Sequence, residues 1–359
     1  MAEDLLIQIL NQLLVPLLRL IFQPCIFVPL IYPGLIMVIV VIVFILWLER
    51  KVAGKIQVRY GPLYVSKRLG GIIQLIADLL RYLFAEVLVP RKADRFMFIL
   101  SPILLFAFAL LPLSAIPVSP NYTAIPSELS LLISLALLTI PPMFVLSMSW
   151  ASNNKFSFIG GLREGYLVMA YEISLFLSIL PMVILFRSLS FIEMVRAQAT
   201  LWGIVLNPVA AIAFFITMLY STSKYPYEIA EADTEVVCGP YTEYAGIIYG
   251  LSMGYAYVKT YTLSLIFSLL FLGGWNPILW PSALPPIWFG YSILSDIMFP
   301  GLMVFIKALI VMAFSVFLRS VYPRYRIDQA IRIGWHNLFV LSIVSVIISI
   351  LIVLYSGVI

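Results

Sequence analysis

Residues 30–51 read Leu30-Ile31-Tyr32-Pro33-Gly34-Leu35-Ile36-Met37-Val38-Ile39-Val40-Val41-Ile42-Val43-Phe44-Ile45-Leu46-Trp47-Leu48-Glu49-Arg50-Lys51. An uncharged run from Leu30 to Leu48 stops abruptly against three charged residues. A helix needs about 20 predominantly apolar residues to cross a hydrocarbon core roughly 30 Å thick. The same pattern recurs at Phe96–Ala115, Leu129–Trp150, Tyr166–Phe186, Leu201–Tyr220, Tyr244–Leu272, Gly301–Leu318 and Phe339–Tyr355. Over 359 residues the chain is 63% hydrophobic and 11% charged, a balance that belongs to the bilayer-spanning class and not to soluble domains. The reading is an all-α polytopic membrane protein of about eight transmembrane helices, a single membrane domain over residues 1–359. Between Asp4 and Phe22 the polar Asn11, Gln12 and Arg19 with Pro16 predict an interfacial amphipathic helix instead of a span. That segment lacks the basic n-region and small-residue cleavage site of a signal peptide.

Most of the 22 basic residues fall in the odd-numbered loops, chiefly residues 49–95 and 319–338, with Lys155, Arg163 and Lys224 between them. Short loops rich in Lys and Arg stay on the cytoplasmic side. The expectation is therefore a multi-pass plasma-membrane protein with cytoplasmic charged loops and both termini outward.

Composition also excludes chemistry. His336 is the only histidine, so a bis-histidine haem has no ligand set. Cys25 and Cys238 are too few for a four-ligand iron-sulfur or zinc site. The chain has no Walker-type glycine loop and no aspartate cluster for magnesium on a diphosphate. It is expected to hold no metal and no redox cofactor, and to bind no nucleic acid.

Three loops carry the positive signal. The first, residues 49–95, contains Glu49-Arg50-Lys51, Gln57 and Arg59-Tyr60-Gly61-Pro62. It leads into Leu69–Val89, where Leu75, Ile76, Leu79, Leu80, Leu83 and Phe84 form an apolar stripe at helical spacing, interrupted by Asp78, Arg81 and Glu86. A helix of that kind lies on the membrane or against other helices at the cytoplasmic side; composition alone also allows a solvated basic loop. The second loop, residues 221–243, holds Glu228, Glu231, Asp233 and Glu235, with Glu243 at the mouth of the sixth span. Carboxylates crowded at a membrane boundary repel one another and lose solvation, both of which favour holding a proton. Glu231 and Glu235 are expected one helical turn apart, and Glu172 lies on a neighbouring span. The alternative is a solvated acidic hairpin. The third loop, residues 319–338, contains Tyr322-Pro323-Arg324-Tyr325-Arg326-Ile327-Asp328-Gln329; alone, it reads as a topology determinant.

Taken in order, these segments resemble the H subunit of respiratory complex I, the NADH:quinone oxidoreductase, and its relatives in ferredoxin- and hydrogen-linked complexes. Glu49-Arg50-Lys51, Gln57, Arg59-Tyr60-Gly61-Pro62, Gln74, Ala77-Asp78 and Glu86 match the first loop of that family. Tyr171-Glu172, Pro226, Glu231-Ala232, Thr242-Glu243-Tyr244, Leu272-Gly273-Gly274-Trp275 and Pro323–Gln329 continue the match along the chain. The resemblance implies a bundle whose cytoplasmic loops dock on the iron-sulfur subunit of a hydrophilic arm and which sits beside antiporter-like membrane subunits. It also implies a lipid quinone that enters from the bilayer as substrate, with no cofactor or catalytic residue of this chain's own. Carried over residue by residue, Arg50, Gln57 and Arg59 belong to the quinone path. Asp78, Glu86, Glu172, Glu228, Glu231, Asp233, Glu235 and Glu243 belong to the proton path, and Arg163, Arg324, Arg326 and Asp328 to the docking surface.

The chain departs from that family in several places. Ser221 and Ala256 stand where acidic residues are usual, Lys224 replaces an arginine, Arg81 and Ala85 replace two lysines, and Tyr64–Arg68 carries about two extra residues. These departures put the course of the proton path in doubt. Two other readings remain: the equivalent subunit of a membrane-bound hydrogenase-type complex without quinone, or an independent ion transporter.

Overall fold

The computed structural model describes residues 22–65, 67–68, 70–276 and 298–355, and of Asp233 the backbone alone. The interfacial helix expected from Asp4 lies, but for Phe22, outside the described residues. The described chain is helical, with one isolated bridge between Ser119 and Tyr122 as its sole extended pairing. We number the helices α1 (Pro24–Leu30), α2 (Leu35–Ile56), α3 (Ile73–Phe84), α4 (Arg95–Leu110), α5 (Ser130–Leu138), α6 (Pro141–Ala151), α7 (Lys155–Phe186), α8 (Phe191–Ala197), α9 (Gly203–Leu206), α10 (Pro208–Ser221), α11 (Asp233–Val236), α12 (Gly246–Phe271), α13 (Phe299–Val321), α14 (Ile327–Arg332) and α15 (Phe339–Tyr355).

Among the described residues, six helical segments are long and apolar enough to cross a membrane: 24–56, 95–115, 130–151, 155–186, 299–321 and 327–355. The two other expected spans are also helices, for different physical reasons less apolar or shorter. In α12 every residue from Val258 to Phe271 is buried, so it carries Lys, Tyr, Ser and Thr that protein, and not lipid, surrounds. α10 has 14 residues, about 21 Å of helix at 1.5 Å per residue. It starts late because Pro208 cannot continue a helix from α9. Asn207 turns the break into an anchor: its side chain accepts from Ala210 N at 3.0 Å and donates to Ser345 O and Ser349 Oγ of α15, both at 2.8 Å. Pro141 and Pro142 likewise divide the third span into α5 and α6.

Helices run further into the charged loops than hydropathy alone suggests. α2 continues through Glu49, Arg50 and Lys51 to Ile56, and α7 begins at Lys155, where Asn154 caps it by accepting from Phe156 N at 3.0 Å. The last span is entered through α14 and a π-helical stretch, Ile333–Leu338, so the loop between α13 and α14 is short.

α12 is the hub, packing on α2, α3, α4, α10 and α13, while α7 gathers α6, α10 and α15. Buried serines such as Ser134, Ser178, Ser264 and Ser342 donate to carbonyls three or four residues back, which satisfies them without partners across the bundle. Outward faces stay apolar; on α15, Val340, Ile347, Leu351 and Leu354 are exposed, as lipid-facing residues would be.

Candidate functional site

The site is built at the end of the bundle that carries the charged loops. Glu49 and Arg50 are neighbours on α2, about 100° apart around the helix, and meet different partners. Glu49 is buried and ion-pairs with Arg319 in the last turn of α13. Tyr257 of α12 closes the group, donating to Glu49 Oε2 at 2.9 Å and accepting from Arg319 at 3.4 Å. Arg319 also stands 3.8 Å from Glu228. One guanidinium thus serves two carboxylates from segments almost 180 residues apart, a use its planar fork allows and a lysine would not.

Above this group lies the loop that follows α10. Its Lys224 is buried, with its ammonium 4.1 Å from the centre of the Tyr257 ring. Burial pushes the Lys224 ammonium down to about 7, with the nearby Glu228 opposing the shift. Arg324 lies over the Tyr225 ring and donates to its hydroxyl at 3.1 Å, and Tyr325 N donates to Pro226 O at 3.0 Å. The second and third charged loops are therefore one structure. A run of rings, Tyr171, Tyr220, Tyr227 and Tyr325, joins them to α7 with centroid separations of 5.5, 4.2 and 5.6 Å.

Deeper in, Glu164 of α7 is 3% exposed and accepts from Ser223 at 3.1 Å. Lys259 of α12 donates to Tyr171 Oη at 3.0 Å and Tyr255 Oη at 3.3 Å. Lys259, Tyr171, Glu172 and Ser221 line a cavity of about 20 Å³. A space of that size takes about one water.

Outward of the network, Arg50 pairs with Asp78 of α3 at 2.7 Å, and Arg59 donates to Gln57 at 2.7 Å. Arg59 and Glu86 are exposed. Gly54 lets this loop return onto α2: a Cβ there would lie 2.9 Å from Gly61 N and 3.0 Å from Arg59 O. The apolar stripe of α3 has Leu75 inside, while Ile76, Leu79, Leu80, Leu83 and Phe84 are exposed.

The acidic loop sends Glu228 and Glu235 to different partners. Glu228 turns inward to Arg319, and Glu235 turns outward to Arg163 at 2.5 Å. Glu231 precedes α11, which begins only at Asp233, so Glu231 and Glu235 do not share a helical turn. The side chain of Asp233 lies outside the described residues. Glu243 accepts from Asn154 at 2.6 Å. Of the residues read as docking surface, Arg326 and Asp328 form an exposed pair at 3.4 Å, whereas Arg324 packs inward on Tyr225. Reading the sequence passed over Glu49, Arg319, Lys224, Tyr257, Glu164 and Lys259 as members of the site. The signal available was the ionisable residue inside an apolar span, which is rare without a role, as with Lys259. Among the described residues no group of three or more His, Cys, Asp or Glu could hold a metal.

A family model described as NADH dehydrogenase matches residues 30–350. The H subunit of the NADH-quinone oxidoreductase of Geobacillus sp. (strain WCH70) is 33% identical over 323 residues, 89% of this chain and 92% of the relative. An H subunit of the NADH-quinone oxidoreductase of Rhizobium meliloti (strain 1021) is 36% identical over 317 residues, covering 84% and 90%. The chain belongs to the family of NADH-quinone oxidoreductase H subunits. The match spans the three charged loops and all the helices around them, so the network from Glu49 to Glu172 lies wholly within it. Membership makes the chain a multi-pass membrane subunit of a complex I-type oxidoreductase.

Proposed function

We propose that this protein forms the quinone-binding chamber of its complex and links quinone reduction to proton translocation. The observation that carries the proposal is the split at Glu49-Arg50. Arg50 is half-exposed and pairs with Asp78, and Arg59 and Gln57 lie exposed just past the end of the same helix, whereas Glu49 is buried against Tyr257 and Arg319, which also reaches Glu228. Charge changes at a headgroup outside are thereby one residue from a buried network that leads to Glu164 and Glu172. Guanidinium groups at Arg50 and Arg59 suit a quinone oxygen or its developing negative charge, and the exposed apolar face of α3 suits the isoprenoid tail. Asp78, Glu86, Glu231, Asp233, Glu235 and Glu243 join the proton path from the loop side, with Glu228 and Glu172 on its inner course. Electrons come from an iron-sulfur subunit of a hydrophilic arm docked over Arg163, Arg324, Arg326 and Asp328, with antiporter-like membrane subunits alongside. The quinone is substrate, the chain holds no cofactor of its own, and the charged loops face the cytoplasm of a plasma membrane with both termini outward. The donor is of the NAD(P)H or ferredoxin type.

The test is Arg59→Ala in the complex isolated with mild detergent. Quinone-dependent turnover is expected to fall at least tenfold, with electron transfer to a small soluble acceptor retained. Retained quinone turnover, or isolation of the chain without an iron-sulfur protein, overturns the reading.

A further inference from the structure

Besides Lys224 of the loop after α10, two lysines are buried, both on bundle helices, and their surroundings differ. Lys307 of α13 has three hydrogen-bond partners for its three donors, the carbonyls of Leu272 and Gly274 at 2.7 Å and of Asn276 at 2.5 Å. It caps the end of α12 with all three of its donors used. Lys259 is 4% exposed and has two neutral hydroxyls, Tyr171 and Tyr255, leaving one donor for the cavity whose wall it shares with Glu172. Glu164 and Glu172 both lie close enough to act on the Lys259 ammonium and on the Tyr171 and Tyr255 hydroxyls. Helices α7 and α12 both start at the charged-loop end. At 1.5 Å per residue Glu164 lies about 14 Å along α7, Lys259 about 20 Å along α12 and Glu172 about 26 Å along α7. Within α7, Glu164 lies about 12 Å nearer the charged-loop end than Glu172, and Tyr171, next to Glu172, accepts from the Lys259 ammonium.

We propose that Lys259 is a proton carrier between Glu164 and Glu172. In the forward step an ammonium N–H bond breaks and an O–H bond forms on the Glu172 carboxylate, directly or through one water in the cavity, which leaves a neutral amine beside a neutral acid. The amine is reprotonated from the carboxylic acid of Glu164 through a tyrosine hydroxyl, which gives its proton to nitrogen as it takes one from oxygen. One proton moves inward, no electron is exchanged, and the lysine returns to its starting form. A fixed charge partner for Glu172 would need only the charge; a carrier needs a cation that can let its proton go.

That distinction sets the experiment, which rests on the proton-translocating reading above. Assembled complex is sealed in vesicles, and proton movement is followed with a pH-sensitive dye beside quinone-dependent electron transfer. If the unaltered complex moves no protons, the functional reading itself fails, whatever Lys259 does. Given translocation, Lys259→Met removes the carrier, while Lys259→Arg keeps the charge on a group that does not deprotonate in proteins. Both are expected to lose at least ninety per cent of translocation with the complex intact on a native gel. Normal translocation by Lys259→Met, or recovery by Lys259→Arg, overturns the proposal. Should neither variant assemble, the double variant Tyr171→Phe, Tyr255→Phe decides: it keeps both rings and removes both hydroxyls, a several-fold slowing is expected, and an unchanged rate overturns the proposal.

Discussion

Arg319 holds Glu49 and Glu228 at once, and Tyr257 ties the group to α12. Removing one member of a buried ion pair leaves the rest charged without compensation, at a cost of about 3–5 kcal/mol. Arg319→Leu is therefore expected to weaken the attachment of the acidic loop, seen as a lower temperature of heat inactivation of the purified complex. Glu49→Gln, which keeps the hydrogen bond from Tyr257, is expected to cost less, and equal losses would count against the shared role of Arg319. Lys224 gives a pH signature. Its ammonium is pushed down to about 7 from an ordinary 10.5, so between those values the folded chain binds fewer protons than the unfolded one. Stability must then rise with pH across that window and lose this contribution as pH falls toward 7. Lys224→Met is expected to flatten the rise in heat stability between pH 7 and 9, and an unaltered slope would show that the group titrates normally.

Among the helices, close approach decides which substitutions are tolerated. A Cβ at Gly160 of α7 would lie 2.6 Å from Gly239 Cα and 2.8 Å from the Pro240 ring, both in the short turn near the end of the acidic loop. At Gly165, one turn along, the nearest atom would be Leu146 Cδ2 at 3.5 Å, an ordinary contact. Gly160→Ala is expected to destabilise by about 1–3 kcal/mol through overpacking. Gly165→Ala is expected to be neutral or stabilising by up to about 1 kcal/mol, because alanine loses less backbone freedom in a helix. Heat inactivation of the two complexes side by side checks the contrast, and similar behaviour would mean that α7 and the turn do not approach as closely as described.

For the whole molecule, the placement of Lys and Arg gives a testable orientation, because short loops rich in them stay on the cytoplasmic side. Val58, 93% exposed beyond the end of α2, and Asn121, exposed in the loop between α4 and α5, belong to opposite ends of the bundle. In a Cys25→Ser, Cys238→Ser background, Val58→Cys is expected to react with a membrane-impermeant thiol reagent only in inverted vesicles washed free of peripheral protein. Asn121→Cys is expected to react only in right-side-out ones. The reverse pattern would place the charged loops outside and remove the cytoplasmic docking reading.

Hydrophobic run length was enough to find the helices of 95–115, 155–186 and 299–321, because a bilayer demands about 20 apolar residues whatever the neighbours do. The order of short motifs, from Glu49-Arg50-Lys51 to Asp328-Gln329, was enough for the family. Run length did not show that α10 is short, since that follows from Pro208 and from Asn207 gripping α15. It also left α12, with its Tyr and Lys content, less apolar than the spans around it, because a helix surrounded by protein is released from lipid's demand. The partners within the site belonged to tertiary structure entirely. Four carboxylates close in sequence look like one cluster, yet Arg319 takes Glu228 inward and Arg163 takes Glu235 outward. Which charge meets which depends on how α2, α12 and α13 cross, and separations of 28 to 270 residues between partners leave no trace in local pattern.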